Sequence, residues 1–340
     1  MTTNFIANNQ KTIQRDNNVD LIRFIGLSLI ILAHIQPPNI ILNLRTFDVP
    51  LMIFVSGMTH YKKSPSFSFE YISHRFKRLV FPVWIFLTIY FIPIILLKSV
   101  GIDLGLNFRH ILGSYLLLDG IGYVWIIRVF LLIALLTPFL IEIKNSITFI
   151  ALYSAFISLY LVLTFNDVGY NVDIIRDWLY YVVGYSFLFL LGVRIKNYSK
   201  KDVAIFMIVI LFLFIVQSIV DLYQLKEVSP LLFHINDFKY PPTNIYILYG
   251  IMMCILVYAI IYYKKRSHLN TLICFISRNS IWIYLWHIPF VAISAKLDMV
   301  WWFRYIIVYL FAVIIYNIQL YAVKTIKSRK DISFLKYLQG

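Results

Sequence analysis

The chain alternates long apolar runs with short polar ones, and the apolar runs set the architecture. A helix needs roughly 17–25 apolar residues to cross ~30 Å of hydrocarbon. About ten windows of that kind fit, at 19–36, 47–61, 79–98, 121–141, 146–165, 174–193, 203–223, 243–263, 274–296 and 300–323. The second is short, and Ser277-Arg278-Asn279-Ser280 interrupts the start of the ninth. No stretch shows the period-two alternation of a half-buried strand. The pattern therefore predicts an all-α integral membrane bundle, because helices satisfy their own backbone in lipid. Residues 1–18 and 326–340 are expected as tails around a membrane domain over 19–325. Gln36-Pro37-Pro38-Asn39 follows the first run with no small-residue cleavage site, so an uncleaved span is expected there and not a signal peptide.

Composition agrees. Of 340 residues 61% are hydrophobic and 14% charged, against about 45–50% apolar usage in soluble domains. A net charge of +15 raises the question of nucleic acid, and placement of the charges answers it. Twenty Lys and Arg fall on the side shared by both tails and the connections at 62–78, 142–145, 194–202 and 264–268. Six fall on the opposite side, and five lie within spans or at their ends. This bias places both termini in the cytoplasm and explains the basicity by topology, so no nucleic-acid partner is expected. Cys254 and Cys274 have no disulfide or metal spacing.

Against this background the ionisable residues inside apolar runs stand out, since each is costly in a bilayer. The first span carries Asp20, Arg23 and His34. Arg23 and His34 are eleven residues apart, which at ~100° per residue returns to within about 20° of one face, ~16 Å along the axis. Two accounts stand for each. Arg23 pairs with Asp20 at i,i+3 and snorkels to the interface, or it recognises phosphate bidentately. His34 caps the outer helix end, or it moves protons near neutral pH. Of the seven histidines, His34 and His287 lie within apolar helices, and for His287, between Trp286 and Pro289, aromatic packing is the simpler reading. Arg128 lies too deep in its span for easy snorkelling and should find a partner or cavity in the interior. Asp48 and Ser56-Gly57 suit either a cap with close helix packing or backbone approach to a ligand. His74-Arg75-Phe76-Lys77-Arg78 is the strongest basic cluster, either ordinary positive-inside charge or a phosphate site.

Taken in order, these segments resemble the acyltransferase-3 family, multi-span membrane O-acyltransferases that decorate cell-surface glycans. Asp20-Leu21-Ile22-Arg23 through Ala33-His34 is similar to that family's Arg-x10-His signature, and Asp48-Val49-Pro50-Leu51 through Ser56-Gly57 to its second-helix motif. Arg75-Phe76-Lys77-Arg78-Leu79-Val80-Phe81-Pro82 matches its basic motif. Val124-Trp125-Ile126-Ile127 resembles its short Trp motif, and Ser280-Ile281-Trp282-Ile283-Tyr284-Leu285-Trp286-His287 a later aromatic helix. The resemblance implies a multi-pass enzyme of the cell membrane with no bound cofactor or metal. It takes acetyl-CoA or another acyl-CoA as donor and a sugar hydroxyl of a surface polysaccharide, capsule or lipid-linked precursor as acceptor.

Carried over residue by residue, His34 is the catalytic base or acyl relay and Arg23 the donor-side arginine. Arg75 and Arg78 become donor-phosphate residues, with Asp20, Asp48, Ser56, Trp125, Arg128, Tyr284 and His287 as site-lining candidates. Arg128 departs from the family, many of whose members carry an acid after the Trp motif. No appended hydrolase-like domain is expected, so transfer should be completed within the membrane domain. The alternative reading is a polysaccharide flippase or exporter whose buried charges line a path.

Overall fold

The computed structural model describes residues 15–61, 65–101, 105, 107–118, 120–143, a few positions between 148 and 158, 178–225, 235–264, 269–329 and 333–339. Among the described residues the regular structure is all helical, with no strand. In chain order the helices are α1 (Asn17–His34), α2 (Asn39–Leu44), α3 (Asp48–Met58), α4 (Phe69–Ser99), α5 (Phe108–Tyr115), α6 (Trp125–Glu142), α7 (Tyr180–Arg194), α8 (Lys200–Leu225), α9 (Asn244–Tyr263), α10 (Thr271–Arg278), α11 (Ser280–Ser294) and α12 (Trp301–Arg329). Short 3₁₀ turns follow at Ile195–Asn197, Ile235–Lys239 and Ser333–Leu338.

Among the described residues seven helical stretches are long and apolar enough to span a bilayer: α1, α2 with α3, α4, α6, α8, α9 and α12. The predicted span 146–165 lies outside the described residues, and 174–193 is met by the shorter α7. The window 274–296 is not one helix but two. The Asn279 amide turns back to donate to the Phe275 carbonyl (2.7 Å), and the chain breaks there between α10 and α11. A side chain that bonds the local backbone competes with the helix ladder in this way.

The core sits around α1, which packs against α3, α9, α10, α11 and α12. Its start is capped by Asp16, whose side chain accepts from the Asn18 and Val19 amides. The tightest pairing is α3 on α7. A Cβ on Gly57 would stand 2.0 Å from the Phe189 carbonyl oxygen, and one on Gly192 equally close to that of Phe54. Only two reciprocal glycines let these backbones touch. The periphery is formed by α4, α8 and α12, whose Ile92, Leu96, Ile208, Phe212, Ile306 and Ile318 are at least half exposed. Such rows are the lipid-facing surface of a bundle.

Candidate active site

The α1 helix brings its two conspicuous side chains to opposite ends. At its start lies a cavity of about 1020 Å³, lined by residues of α1, α3, α4, α6, α10 and α11 and by the C-terminal turn. Its walls hold eight basic side chains, Arg15, Arg23, Arg75, Lys77, Arg78, Lys196, Arg278 and Lys336, against two acids, Asp16 and Asp20.

Both acids are engaged. Asp20 is 1% exposed and accepts from Arg15 (2.5 and 2.7 Å), Ser277 (2.9 Å) and, at 3.4 Å, Arg23. Asp16 accepts from Lys196 and the Tyr262 hydroxyl, both at 2.6 Å. Burial disfavours the Asp16 charge, but these two bonds outweigh it and hold the carboxyl below its ordinary value. Asp20 is thus the buried partner that holds Arg15 and Arg23 at the cavity wall, while the helix cap is its neighbour Asp16.

On the opposite wall Arg75 donates to His60 Nε2 (2.8 Å) and lies over the Tyr71 ring, 5.1 Å from its centre. His60 Nδ1 faces the Ser56 carbonyl at 2.9 Å, so its Nδ1–H donates there and Nε2 is left to accept from Arg75. Arg75 and Arg78 lie within the long α4 and not in a loop ahead of a span. The helix starts ten residues before the apolar window that predicted it, because Ser68 caps it by accepting from the Tyr71 amide.

At the far end of α1 the half-buried His34 stacks on His287, with ring centres 4.9 Å apart and Nδ1 2.7 Å from His287 Nε2. His287 is fully buried, and its Nδ1 meets the Tyr284 carbonyl. A carbonyl only accepts, so His287 carries its proton on Nδ1 and offers a bare Nε2. His34 then donates from Nδ1, which leaves the His34 Nε2 lone pair unprotonated. The edge of His34 packs on Tyr123, 4.7 Å between centres, and the Tyr284 hydroxyl donates to the Tyr123 carbonyl. Tyr284 belongs to both regions: it lines the basic cavity, and its ring centre is 6.5 Å from that of His34.

A model of the acyltransferase domain matches residues 16–317 of this sequence. The chain belongs to the acyltransferase-3 family. No curated protein and no solved structure matches it. The acyltransferase domain therefore takes in α1 to α11, both ends of the site and most of α12, and stops before the C-terminal turn.

The remaining site-lining candidates divide. Ser56 lines the cavity, while its neighbour Gly57 serves helix packing. Asp48 lies off the cavity, 2% exposed, in a triad with Arg45 (2.6 Å) and Lys239 (2.9 Å) that ties the α2–α3 turn to residues 235–239. Trp125 packs edge-on to Tyr240 and against Tyr181. Arg128 meets an aromatic face, its guanidinium 5.0 Å over the Trp178 ring. A partner or cavity in the interior was the expectation there, and a π face serves a guanidinium in an apolar setting.

From the sequence His60 reads as a span-end histidine and was passed over, while for His287 aromatic packing was the simpler reading although the family resemblance placed it among the site-lining candidates. One signal was available for the second: two intramembrane histidines are expected to seek each other.

Proposed function

We propose that this acyltransferase moves an acyl group, acetyl in the simplest case, from acyl-CoA to a sugar hydroxyl of a cell-surface polysaccharide or its lipid-linked precursor. The enzyme works in the cell membrane with its basic end toward the cytoplasm. The observation that carries the reading is the cavity itself, whose walls hold six more basic than acidic side chains and include Tyr284, the ring centre of which is 6.5 Å from that of His34. Its size is at the upper end of ligand pockets, which run to about 1,000 Å³. A pantetheine arm built on a nucleotide with phosphates is a ligand of that charge and length.

In this reading Arg23, Arg75 and Arg78 hold the donor phosphates, and the thioester points toward Tyr284. The acceptor oxygen attacks the thioester carbonyl while His34 Nε2 takes its proton. The C–S bond then breaks, and the imidazolium returns the proton to the departing thiolate, giving CoA thiol and the O-acyl sugar. His287 holds His34 in the tautomer this needs and spreads the transient positive charge.

The test is transfer of labelled acetyl from acetyl-CoA to purified glycan acceptor by detergent-solubilised protein, wild type against His34→Ala. Loss of transfer in a variant that inserts and folds normally is expected. Export of polysaccharide without any transfer by the wild type, or full transfer by His34→Ala, would overturn the reading.

A further inference from the structure

The last residues of the chain lie beyond the acyltransferase domain, which ends at 317. By sequence, residues 326–340 are a basic tail outside the membrane domain. The structure folds the turn Ser333–Leu338 back against the bundle. Three backbone carbonyls of this turn are gripped in succession. The Trp282 indole donates to the Tyr337 carbonyl (3.0 Å) and the Gln319 amide to that of Leu338 (2.8 Å), while the Tyr316 hydroxyl is shared between that of Gln339 (2.8 Å) and Asn279 Oδ1 (2.7 Å).

The donors are not casual surface groups. Trp282 and Tyr316 are fully buried, and Gln319 is fixed by accepting from the Trp286 indole (2.7 Å). Without the turn the buried Trp282 indole would lose its partner, which is costly in an interior, while the Tyr316 hydroxyl would keep the Asn279 side-chain oxygen at 2.7 Å. Leu335 is itself buried, and the Tyr337 ring meets Phe81 on α4 edge-on at 5.3 Å between centres. The turn thus bridges α11 and α12 to α4, three residues past Arg78. Lys336 and Tyr337 then stand in the cavity wall with Arg23, Arg75 and Arg78.

We infer that residues 333–339 are a built-in strap that completes the donor cavity, with Lys336 contacting a phosphate of the polyanionic donor at its mouth. The inference rests on the acyl-CoA reading above. Lys336 remains exposed, so its charge is partly screened and its effect moderate. Arg23 and Arg75 sit deeper and carry more.

The test is binding of CoA to the full-length protein in detergent, by titration calorimetry at low and at physiological salt, alongside thermal unfolding. Lys336→Glu is expected to weaken binding by about tenfold and Lys336→Gln by about threefold, each with an unchanged melting temperature. Lys336→Arg should bind as the wild type does. Gln319→Leu, which loosens the strap without touching the charge, should weaken CoA binding in the same direction. CoA affinity in Lys336→Glu equal to that of the wild type would overturn the strap while leaving the donor assignment intact. A wild-type protein that does not bind CoA at all fails the donor reading first, and the strap's role with it.

Discussion

His287→Phe is the most discriminating single change. It keeps a ring of similar shape stacked on His34 at about the present 4.9 Å, yet removes the acceptor that His34 Nδ1 faces at 2.7 Å. Two losses follow. The His34 N–H is left in a buried setting without its partner, a cost of about 1–3 kcal/mol. The ring is also freed to place its proton on the reacting nitrogen, which disables it as a base in that fraction of molecules. Carried whole into the barrier, at ~1.36 kcal/mol per decade, the first loss alone is between about fivefold and 160-fold in rate. A positioned general base is itself worth about 10²–10⁴, so His34→Ala sets the floor. Initial rates of acetyl transfer should show kcat falling in His287→Phe with the KM for acetyl-CoA unmoved, because His287 is outside the donor cavity. The double variant should be no slower than His34→Ala alone, since residues acting as one unit are not additive. Wild-type kcat in His287→Phe, or rate losses that multiply in the double variant, would refute the tautomer argument.

Two further outcomes are expected. Arg75→Lys should raise the KM for acyl-CoA about tenfold with little change in kcat, because a lysine loses both the His60 bond and the planar fork; His60→Ala should move KM in the same direction, and an unmoved KM in both is the contrary result. Gly57→Ala should lower the melting temperature by several degrees at a cost of about 2–3 kcal/mol, and adding Gly192→Ala should cost less than a second full increment, since one separation of α3 from α7 relieves both clashes.

The contrast between what was legible and what was not has a physical basis. Helix α1 was readable because its apolar period and the Arg23–His34 spacing are local, and because two charges in such a run are conspicuous. Helices α4, α6, α9 and α12 were readable for the same reason, with bounds shifted by caps such as Ser68 that lie outside the apolar window. The break at Asn279 was foreshadowed by four polar residues, but its outcome depended on one amide bonding its own helix. What the sequence did not disclose were pairings across long separations. His287 meets His34 across 253 positions, and Ser277 meets Asp20 across 257. The docking of the tail was hidden for a related reason. Its lysines look like an interfacial anchor, while the groups that dock it are its own backbone carbonyls, which no side-chain pattern reveals.

Tyr284 has a consequence outside the reaction. A polar cleft reaching deep into a bilayer is most of an ion pathway, and with six excess positive charges this one would favour anions. Moving one charge through the membrane potential is worth ~2.3 kcal/mol per 100 mV, so an open connection would drain the gradient of the cell. Tyr284 lines this cleft on the side of His34 and is braced by its bond to the Tyr123 carbonyl. In the proposed reaction the acyl group passes near this side chain, so the packing around Tyr284 has to admit it without letting ions follow.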